Sequence, residues 1–291
     1  MSPFAEASER RQQLGRALRQ LRDAAGLTGT QLATLLGVAQ STISRLENGR
    51  ALPSPEQLDQ WAAATGATTQ QRLDLDALAE AAATEAIAWR GRPERLAALQ
   101  RDTAGLEASA GLNRGYHPVL VPALARVPGY AQAVYRARAD LDGQADAEVA
   151  EAVTAQIARQ TLLYRPGHRF EFLLTEAGLR WRFVPREVLA AQVDQLARVA
   201  RMPNVLLGII PMEVGMEGAA PAWGWQGFAA FLERADGADD LVLVETLTAA
   251  LTVRNTADVA RYGQAFARLL DLAATGPDAL AILDRLAADL W

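Results

Sequence analysis

Apolar residues in the N-terminal part of the chain recur at helical spacing, in short runs that turn residues separate. Leu14, Leu18 and Leu21 would lie on one face of a first helix, which Gly26 ends. Thr28 is placed to cap a second helix, because a threonine hydroxyl accepts a hydrogen bond from an amide of the first turn. The apolar face of that helix consists of Leu32, Leu35 and Leu36.

A tight turn is expected at Gly37, since glycine adopts positive φ values without strain. A third helix is predicted from about residue 39 to residue 46, and Asn48 follows its end. Ser54 and Gln57 then have the spacing of a capping box, which predicts a fourth helix. Two of these helices would cross through the tight turn, as in a helix-turn-helix motif.

Farther along the chain, alanine-rich segments with patterned charges predict helices at 70–89 and 93–110. They would connect the first four helices to the rest of the protein. We therefore expect a helix-turn-helix domain at 1–66, a helical connector at 67–110 and a second domain at 111–291.

Beyond residue 111 the helical spacing is interrupted by short apolar or alternating runs bounded by Pro, Gly and Asp. These runs predict strands at 168–175, 203–211, 225–233 and 241–246. Helices are predicted at 147–164, 185–202, 256–275 and 277–291. The predicted fold is an all-α N-terminal domain followed by a mixed α/β (α+β) domain, in which helices flank a small sheet.

Charge is distributed unevenly along the chain. All 29 basic residues are arginine, and the net charge is −5. Between residues 10 and 50, seven arginines stand against two acidic residues, so this segment carries +5 and the remainder −10. A basic segment on an acidic protein suits contact with DNA through one face. The absence of cysteine excludes disulfides, thiolate zinc sites and cysteine nucleophiles.

The outward side of the predicted third helix has the side chains that read DNA bases. Glutamine can pair with an adenine edge, arginine with a guanine edge, and serine or threonine with a base or a phosphate. The predicted base-contacting residues are Gln40, Ser41, Thr42, Ser44 and Arg45. Phosphate contacts are expected from helix N-terminal amides and from Thr28, Thr30, Asn48 and Arg50.

The segment LTGTQLATLLGVAQSTISRLENGRALPS resembles the xenobiotic-response-element, or phage-repressor-like, helix-turn-helix family nearly throughout. The resemblance implies a structural ion pair between Arg22 and Glu47. Gly29 stands where that family usually has a phosphate-contacting glutamine, and Ala39 where it usually has a capping serine. Both departures weaken expected contacts, so one domain alone should bind DNA loosely and a homodimer should bind a double-stranded operator.

Residues 100–285 resemble the uncharacterised effector domain of actinobacterial antitoxin-like regulators. The matching pieces include TEAGLR, QVDQLARVARMPNVLLGIIP and LVLVET. The family's usual VPGLLQT is VPALARV here, at residues 121–127. The resemblance implies a partner protein, small and often encoded alongside.

Known catalytic patterns are absent from the sequence. His117 and His168 lie far apart without metal-ligand spacing, and no phosphate-binding loop or nucleophile motif occurs. Glu176 and Glu245 could lie at strand ends, where caps or ion pairs are the more common role. We expect no enzyme activity, no cofactor and no metal.

A glycine-rich segment between two predicted strands is the candidate ligand pocket. Met216, Trp223 and Trp225 could line it or stack on a flat ligand, or they could simply pack against the edge of the sheet. The two C-terminal helices could likewise form core or a dimer face.

Two functional hypotheses follow. The first is a dimeric transcriptional regulator whose C-terminal domain responds to a small molecule or a partner protein, and the second is an antitoxin-like module that binds a small protein and autoregulates its operon. Catalysis on a nucleotide or small molecule is a third, remote alternative. No run approaches the ~20 apolar residues of a membrane span, so we expect a cytoplasmic protein with no membrane association.

Overall fold

The computed structural model describes residues 3–88, 95–143, 145–214, 227–234, 239–246 and 249–290. The helices of its N-terminal domain are α1 (Pro3–Ala24), α2 (Gly29–Leu36), α3 (Gln40–Glu47), α4 (Pro55–Thr65) and α5 (Thr69–Ala83). The four predicted helices are confirmed, and α5 extends the bundle. Within the described ranges, no helix is both long and apolar enough to cross a bilayer.

Capping interactions begin two of these helices where the sequence predicts them. The Thr28 hydroxyl accepts a hydrogen bond from the Gln31 amide, and the Gln31 side chain accepts one from the Thr28 amide in return. Ser54 and Gln57 form the same reciprocal pair at α4. Inside the bundle, the fully buried Trp61 donates its indole N–H to the Leu18 carbonyl at 3.2 Å. The core of the N-terminal domain therefore includes α1 and α4 as well as the crossing helices α2 and α3.

In the described part of the chain after α5, the structure has eight strands and seven helices. The strands are β1 (Thr84–Ala88), β2 (Ala110–His117), β3 (Arg169–Thr175), β4 (Val205–Ile210), β5 (Phe228–Arg234), β6 (Leu241–Glu245), β7 (Ala249–Val253) and β8 (Ala274–Thr275). The helices are α6 (Arg95–Ala108), α7 (Pro128–Asp142), α8 (Asp146–Arg159), α9 (Glu176–Arg180), α10 (Arg186–Val199), α11 (Thr256–Leu270) and α12 (Gly276–Ala288). Short 3-10 turns occupy Ala123–Ala125 and Gln160–Tyr164.

The described strands form one mixed sheet in the order β1-β7-β6-β5-β2-β3-β4-β8. Strands β2, β3 and β4 run parallel, and every other neighbouring pair is antiparallel. Along β3, Phe172 packs with helices α10 and α12, whereas Leu173 packs with α11. Because successive strand residues point to opposite faces, both faces are covered by helices. The predicted mixed α/β class is confirmed.

Several element predictions are wrong in detail. The helix predicted at 70–89 ends at Ala83, and β1 follows it immediately. The helix predicted at 147–164 changes to a 3-10 turn after Arg159, and the one predicted at 256–275 ends at Leu270, before β8. Strands β2 and β7 were not predicted. The reason is local: β2 contains Asn113, Arg114 and Gly115, so neither alternation nor an apolar run marks it.

Strand β1 joins the two domains physically. It continues directly from α5 and pairs antiparallel with β7, from Thr84 opposite Val253 to Ala88 opposite Ala249. A second contact links the loop before α4 to the C-terminal domain, where the Asp239 carboxylate accepts a hydrogen bond from the Leu52 amide at 3.0 Å. The N-terminal domain is thus attached to the edge of the sheet by backbone pairing.

Candidate nucleic-acid interface

The crossing of α2 and α3 has the packing that the sequence predicts. Gly37 ends α2 in the left-handed conformation with φ of 67°, and its neighbour Val38 donates to the Ala33 carbonyl at 3.0 Å. Ile43 and Leu46 are buried beneath α3. This anchors α3 by one face and leaves the other outside.

The structure places all five predicted base-contacting residues on the eight-residue helix α3. Gln40 and Ser41 are exposed in its first turn, whereas Thr42, Ser44 and Arg45 are half-buried. Because the N-terminal amides of a helix carry partial positive charge, this end of α3 attracts phosphate as well as base edges. The DNA contacts themselves stay a prediction.

The four predicted phosphate-contacting side chains divide into two groups. Thr30 and Arg50 are exposed. Thr28 is also exposed, but its hydroxyl serves as the cap of α2. Asn48 accepts from Arg19 at 3.4 Å and donates to the Ser44 carbonyl at 2.7 Å. Thr28 and Asn48 therefore already have structural roles, in contrast to the solvent-facing Thr30 and Arg50.

An ion-pair cluster holds α1 against the C-terminal end of α3. The Arg22 guanidinium donates to both oxygens of Glu47, at 2.5 Å from Nε and 2.9 Å from Nη2. The hydrogen bond to Glu47 outweighs burial and raises the pKa of Arg22. Arg22 also donates to the Leu27 carbonyl at 2.9 Å, which fixes the turn before α2. The structure thus contains the predicted pair, as a bidentate contact between a buried carboxylate and a half-buried guanidinium.

Arg19 is a second partner of Glu47 that sequence reasoning missed. Its Nε lies 3.1 Å from the Glu47 carboxylate, and its side chain is 49% exposed. The signal was available, because Arg19 and Arg22 are three residues apart and so share one face of α1. Glu47 thus accepts hydrogen bonds from two arginines.

Two glycines permit the close approach of α1 to the end of α3. A Cβ at Gly15 would overlap the Glu47 carbonyl oxygen, and a Cβ at Gly49 would lie 2.9 Å from the Arg11 carbonyl carbon. Gly49 also has φ of 65°, a backbone conformation that residues other than glycine rarely adopt. A glycine inside a helix is costly, so Gly15 was a readable sign of close packing.

The two departures from the family pattern have visible consequences. Ala39 begins α3 in an extended conformation without a side-chain cap, as its methyl group requires. A Cβ at Gly29 would meet only ordinary contacts, 3.7 Å from Gln40 Nε2 and 3.9 Å from Ile43. A Cβ at Gly29 would therefore fit, and Ala39 is exposed, so packing requires neither residue.

The residues considered for chemistry in the C-terminal domain lie apart. Burial would raise the pKa of Glu176, but hydrogen bonds from Arg180 and the Met212 amide hold it below its ordinary value. Glu245 is exposed at the end of β6. His168 is half-buried, and its carbonyl accepts from Asn204. Among the described residues, no cluster of acidic or histidine side chains could hold a metal ion.

His117 lies at the end of β2 and is half-buried, with its Nε2 atom enclosed. Burial and, to a smaller extent, the charge of Arg126 together lower the pKa of its imidazole to about 3. Its Nε2 has no hydrogen-bond partner within the described ranges. The three residues of the predicted pocket, Met216, Trp223 and Trp225, lie outside the described residues, so that prediction stays open.

Two family models match the chain. One, described as a helix-turn-helix domain, matches residues 13–75, and the other, described as a domain of unknown function (DUF5753), matches residues 100–285, well over half of the chain. No curated protein and no solved structure matches. The N-terminal domain is therefore a DNA-binding helix-turn-helix domain of the kind that serves transcription regulation. The second match names no activity, so the antitoxin-like character stays a prediction.

Proposed function

The chain belongs to the DUF5753 family, and because this family's domain is joined here to a helix-turn-helix domain, we propose that the protein is a dimeric transcriptional regulator controlled through its C-terminal domain. Each N-terminal domain would insert α3 into the major groove of double-stranded DNA. The C-terminal domain would bind an effector rather than catalyse a reaction.

The observation that carries the proposal is the fixed position of α3. Its inner face is buried at Ile43 and Leu46, and the Arg22–Glu47 pair holds its C-terminal end against α1. Gln40 and Ser41 consequently project from a rigid support. Sequence discrimination needs such support, because base edges are recognised by side chains held at defined positions.

Dimerisation is expected because a single N-terminal domain would bind DNA with modest affinity. Helix α3 has only eight residues and lacks a side-chain cap, and Gly29 offers no side chain to a phosphate. Two domains spaced by one helical turn of DNA, about 34–36 Å, would contact two half-sites at once. Linking them raises the effective affinity without a new contact.

The path from the C-terminal domain to α3 is short. Strand β7 pairs with β1, β1 follows α5, and α5 packs against α1. A displacement of β7 would therefore be transmitted to the helix that braces α3. This contiguity supports regulation by a ligand or a protein bound to the C-terminal domain.

The test is a comparison of operator selectivity. Genome-wide binding-site mapping supplies the operator, and fluorescence anisotropy then measures the affinity of the full chain for it and for single-base variants. Gln40→Ala and Arg45→Ala should each lose about 1–3 kcal/mol of discrimination at one base pair. Gln60→Ala, an exposed glutamine on α4, is the matched control. Unchanged selectivity in both α3 variants would refute these assignments.

An antitoxin-like role is the second candidate, and exposed apolar side chains on the C-terminal domain favour it. Leu141, Tyr164 and Met212 are each more than 60% exposed, and Trp181 is 52% exposed. Exposed apolar groups are common at protein interfaces. Copurification of a stoichiometric complex with the product of a neighbouring gene would support this role. A chain that purifies alone from coexpression and still binds its operator would exclude it.

A further inference from the structure

A cavity of about 290 Å³ lies inside the C-terminal domain, away from the helix-turn-helix surface. Its walls come from strands β2, β3, β5, β6 and β7 on one side and from α6, α7, the end of α8 and the segment before α7 on the other. Its size is near the lower limit of small-molecule sites, about 300–1,000 Å³. Buried aromatic side chains form much of the wall, namely Tyr116, Tyr135, Phe172 and Phe228.

One polar side of this cavity holds a buried cation that has no ionic partner among the residues that the structure describes. Arg126 is only 8% exposed. Its Nε donates to the Val121 carbonyl at 2.7 Å, and its Nη1 to the Gln156 amide oxygen at 3.5 Å. Within the described ranges these are its side-chain hydrogen bonds, and neither partner is a carboxylate. A buried charge is costly unless it is paired, so this arrangement favours an anion in the cavity.

The second arginine of the cavity provides an internal comparison. Arg159 is equally buried, but its guanidinium contacts both oxygens of Glu107, at 2.7 Å and 3.1 Å. Among the described lining residues, three arginines face two glutamates, which leaves one net positive charge. His117 adds none, because its lowered pKa keeps it neutral.

Two further polar atoms in the wall are unsatisfied. His117 Nε2 and Asn113 Oδ1 are both buried without a hydrogen-bond partner among the residues that the structure describes. Asn113 is 3% exposed and offers its other atom, Nδ2, to Glu107 at 3.4 Å. Since buried polar groups are normally paired, these atoms indicate a guest with hydrogen-bonding groups of its own.

We propose that this cavity binds a small organic acid, whose carboxylate pairs with Arg126 and whose apolar body packs against the buried aromatic side chains. His117 and Asn113 would hydrogen-bond to polar substituents of the acid. This inference rests on the proposed function, because the acid would be the effector of the regulator. Ala250 of β7 lines the cavity and is the sheet neighbour of Ile87 in β1, so an occupied cavity borders the connection to the N-terminal domain.

The test uses the full chain and isothermal titration calorimetry without DNA. The probes are phenylacetate, cinnamate, salicylate and isovalerate, each compared with its neutral amide. We expect at least one acid to bind with one site per chain. Its neutral amide should bind at least about tenfold more weakly, because it loses a charge-assisted hydrogen bond. Equal binding of acid and amide would show that Arg126 does not recognise a carboxylate, and no binding of any acid would indicate that the cavity holds only water. Either result would overturn the proposal.

Two variants locate the site. Arg126→Gln should weaken binding of the acid about tenfold or more, whereas Arg201→Gln, which changes an exposed arginine at the end of α10, should leave it unchanged. Val134→Phe narrows the cavity but leaves Arg126 in place, and it should abolish binding even if Arg126→Gln does not fold. Binding that survives Val134→Phe would place the acid elsewhere.

The operator assay separates this inference from the proposed function. Calorimetry contains no DNA, so a chain that binds its operator but no acid would refute only the ligand site. A chain that binds the acid but shows no sequence preference on DNA would refute only the regulator. If both hold, adding the acid should shift the operator affinity measured by anisotropy, and an unchanged affinity would show that the acid is not an effector.

Discussion

The two domains bury charged side chains in different ways. In the N-terminal domain, the Glu47 carboxylate accepts from Arg19 and Arg22, so the buried anion is satisfied within the protein. In the C-terminal domain, Arg159 is likewise paired with Glu107, but Arg126 is buried without a carboxylate partner in the described part of the chain. In the N-terminal domain, the paired charges hold the helix that is proposed to contact DNA. In the C-terminal domain, the charge of Arg126 is available to the proposed ligand inside the cavity.

This contrast also separates two kinds of recognition. In the proposed function, residues of α3 would contact DNA on the outside of a closed core, where many weak contacts to a long polymer add up. The cavity would enclose the proposed acid, so that one charge and a few hydrogen bonds in apolar surroundings would suffice for selectivity. A variant that changes the ion pairs of the N-terminal domain should therefore affect DNA binding more than ligand binding, and a variant that changes those of the C-terminal domain should do the reverse.

The largest effect is expected from removing the charge of Glu47. Glu47→Gln keeps the shape of the side chain but removes the buried carboxylate that Arg22 and Arg19 share, and it leaves Arg22 with the exposed Asp23 as its acidic partner. We expect a loss of about 3 kcal/mol in the stability of the N-terminal domain, because two charge-assisted hydrogen bonds to a buried carboxylate are weakened, and a loss of operator binding. Hydrogen exchange of peptides from α1 to α3 along a urea titration would measure it.

The matched control is Glu151→Gln in the C-terminal domain. Glu151 pairs with Arg101, and both side chains are more than half exposed, so its loss should cost less than about 1 kcal/mol. If Glu47→Gln lowers the free energy of unfolding no more than this control does, the ion-pair cluster does not hold α3 in place. The proposed difference between the two domains would then be wrong for the N-terminal domain.

An intermediate effect is expected from the protonation of His117. Its folded pKa of about 3 lies below the ordinary value of 6.5, so the unfolded chain binds the proton more tightly. The stability that this difference provides is complete above pH 6.5 and is lost as the pH falls from there toward 3. Lowering the pH from 7 to 5 should therefore reduce the free energy of unfolding by about 2 kcal/mol, which is measured as a lower urea midpoint.

The second histidine makes this prediction specific. His117→Gln should remove most of the loss between pH 7 and pH 5, whereas His168→Gln, which changes a half-buried histidine outside the cavity, should keep it. An identical pH profile for the wild type and His117→Gln would show that His117 is accessible to protons in the folded chain. The cavity would then be open to water at that point.

The N-terminal domain was more predictable than the C-terminal domain for a physical reason. Its helices are specified by local signals, such as the caps at Thr28 and Ser54 and the turn at Gly37, each read within a few residues. Strand β1 has no local signal, because it depends on pairing with β7, more than 150 residues away. Propensity predicted a helix there, and the distant partner determined a strand.

The functional residues show the same division. The Arg22–Glu47 pair could be expected from the resemblance, and Arg19 follows from helix periodicity. Arg126 lies in VPALARV, a segment that the sequence marks only as a departure from the family pattern. That its charge is buried beside His117 and Asn113 depends on the packing of three helices on the sheet, which no local pattern encodes.

The smallest effect, and the sharpest comparison between the domains, concerns two uncapped helices. Ala39 precedes α3 and Ala145 precedes α8, both with extended backbone angles and no side-chain cap. Ala39→Ser and Ala145→Ser should each stabilise the domain concerned by about 1 kcal/mol, since serine accepts from an amide in the first turn. Only Ala39→Ser should also strengthen operator binding, by up to about fivefold, because it orders the helix that enters the groove. Anisotropy and urea denaturation on the two variants would test this, and equal gains in affinity would mean that α3 has no special part in DNA binding.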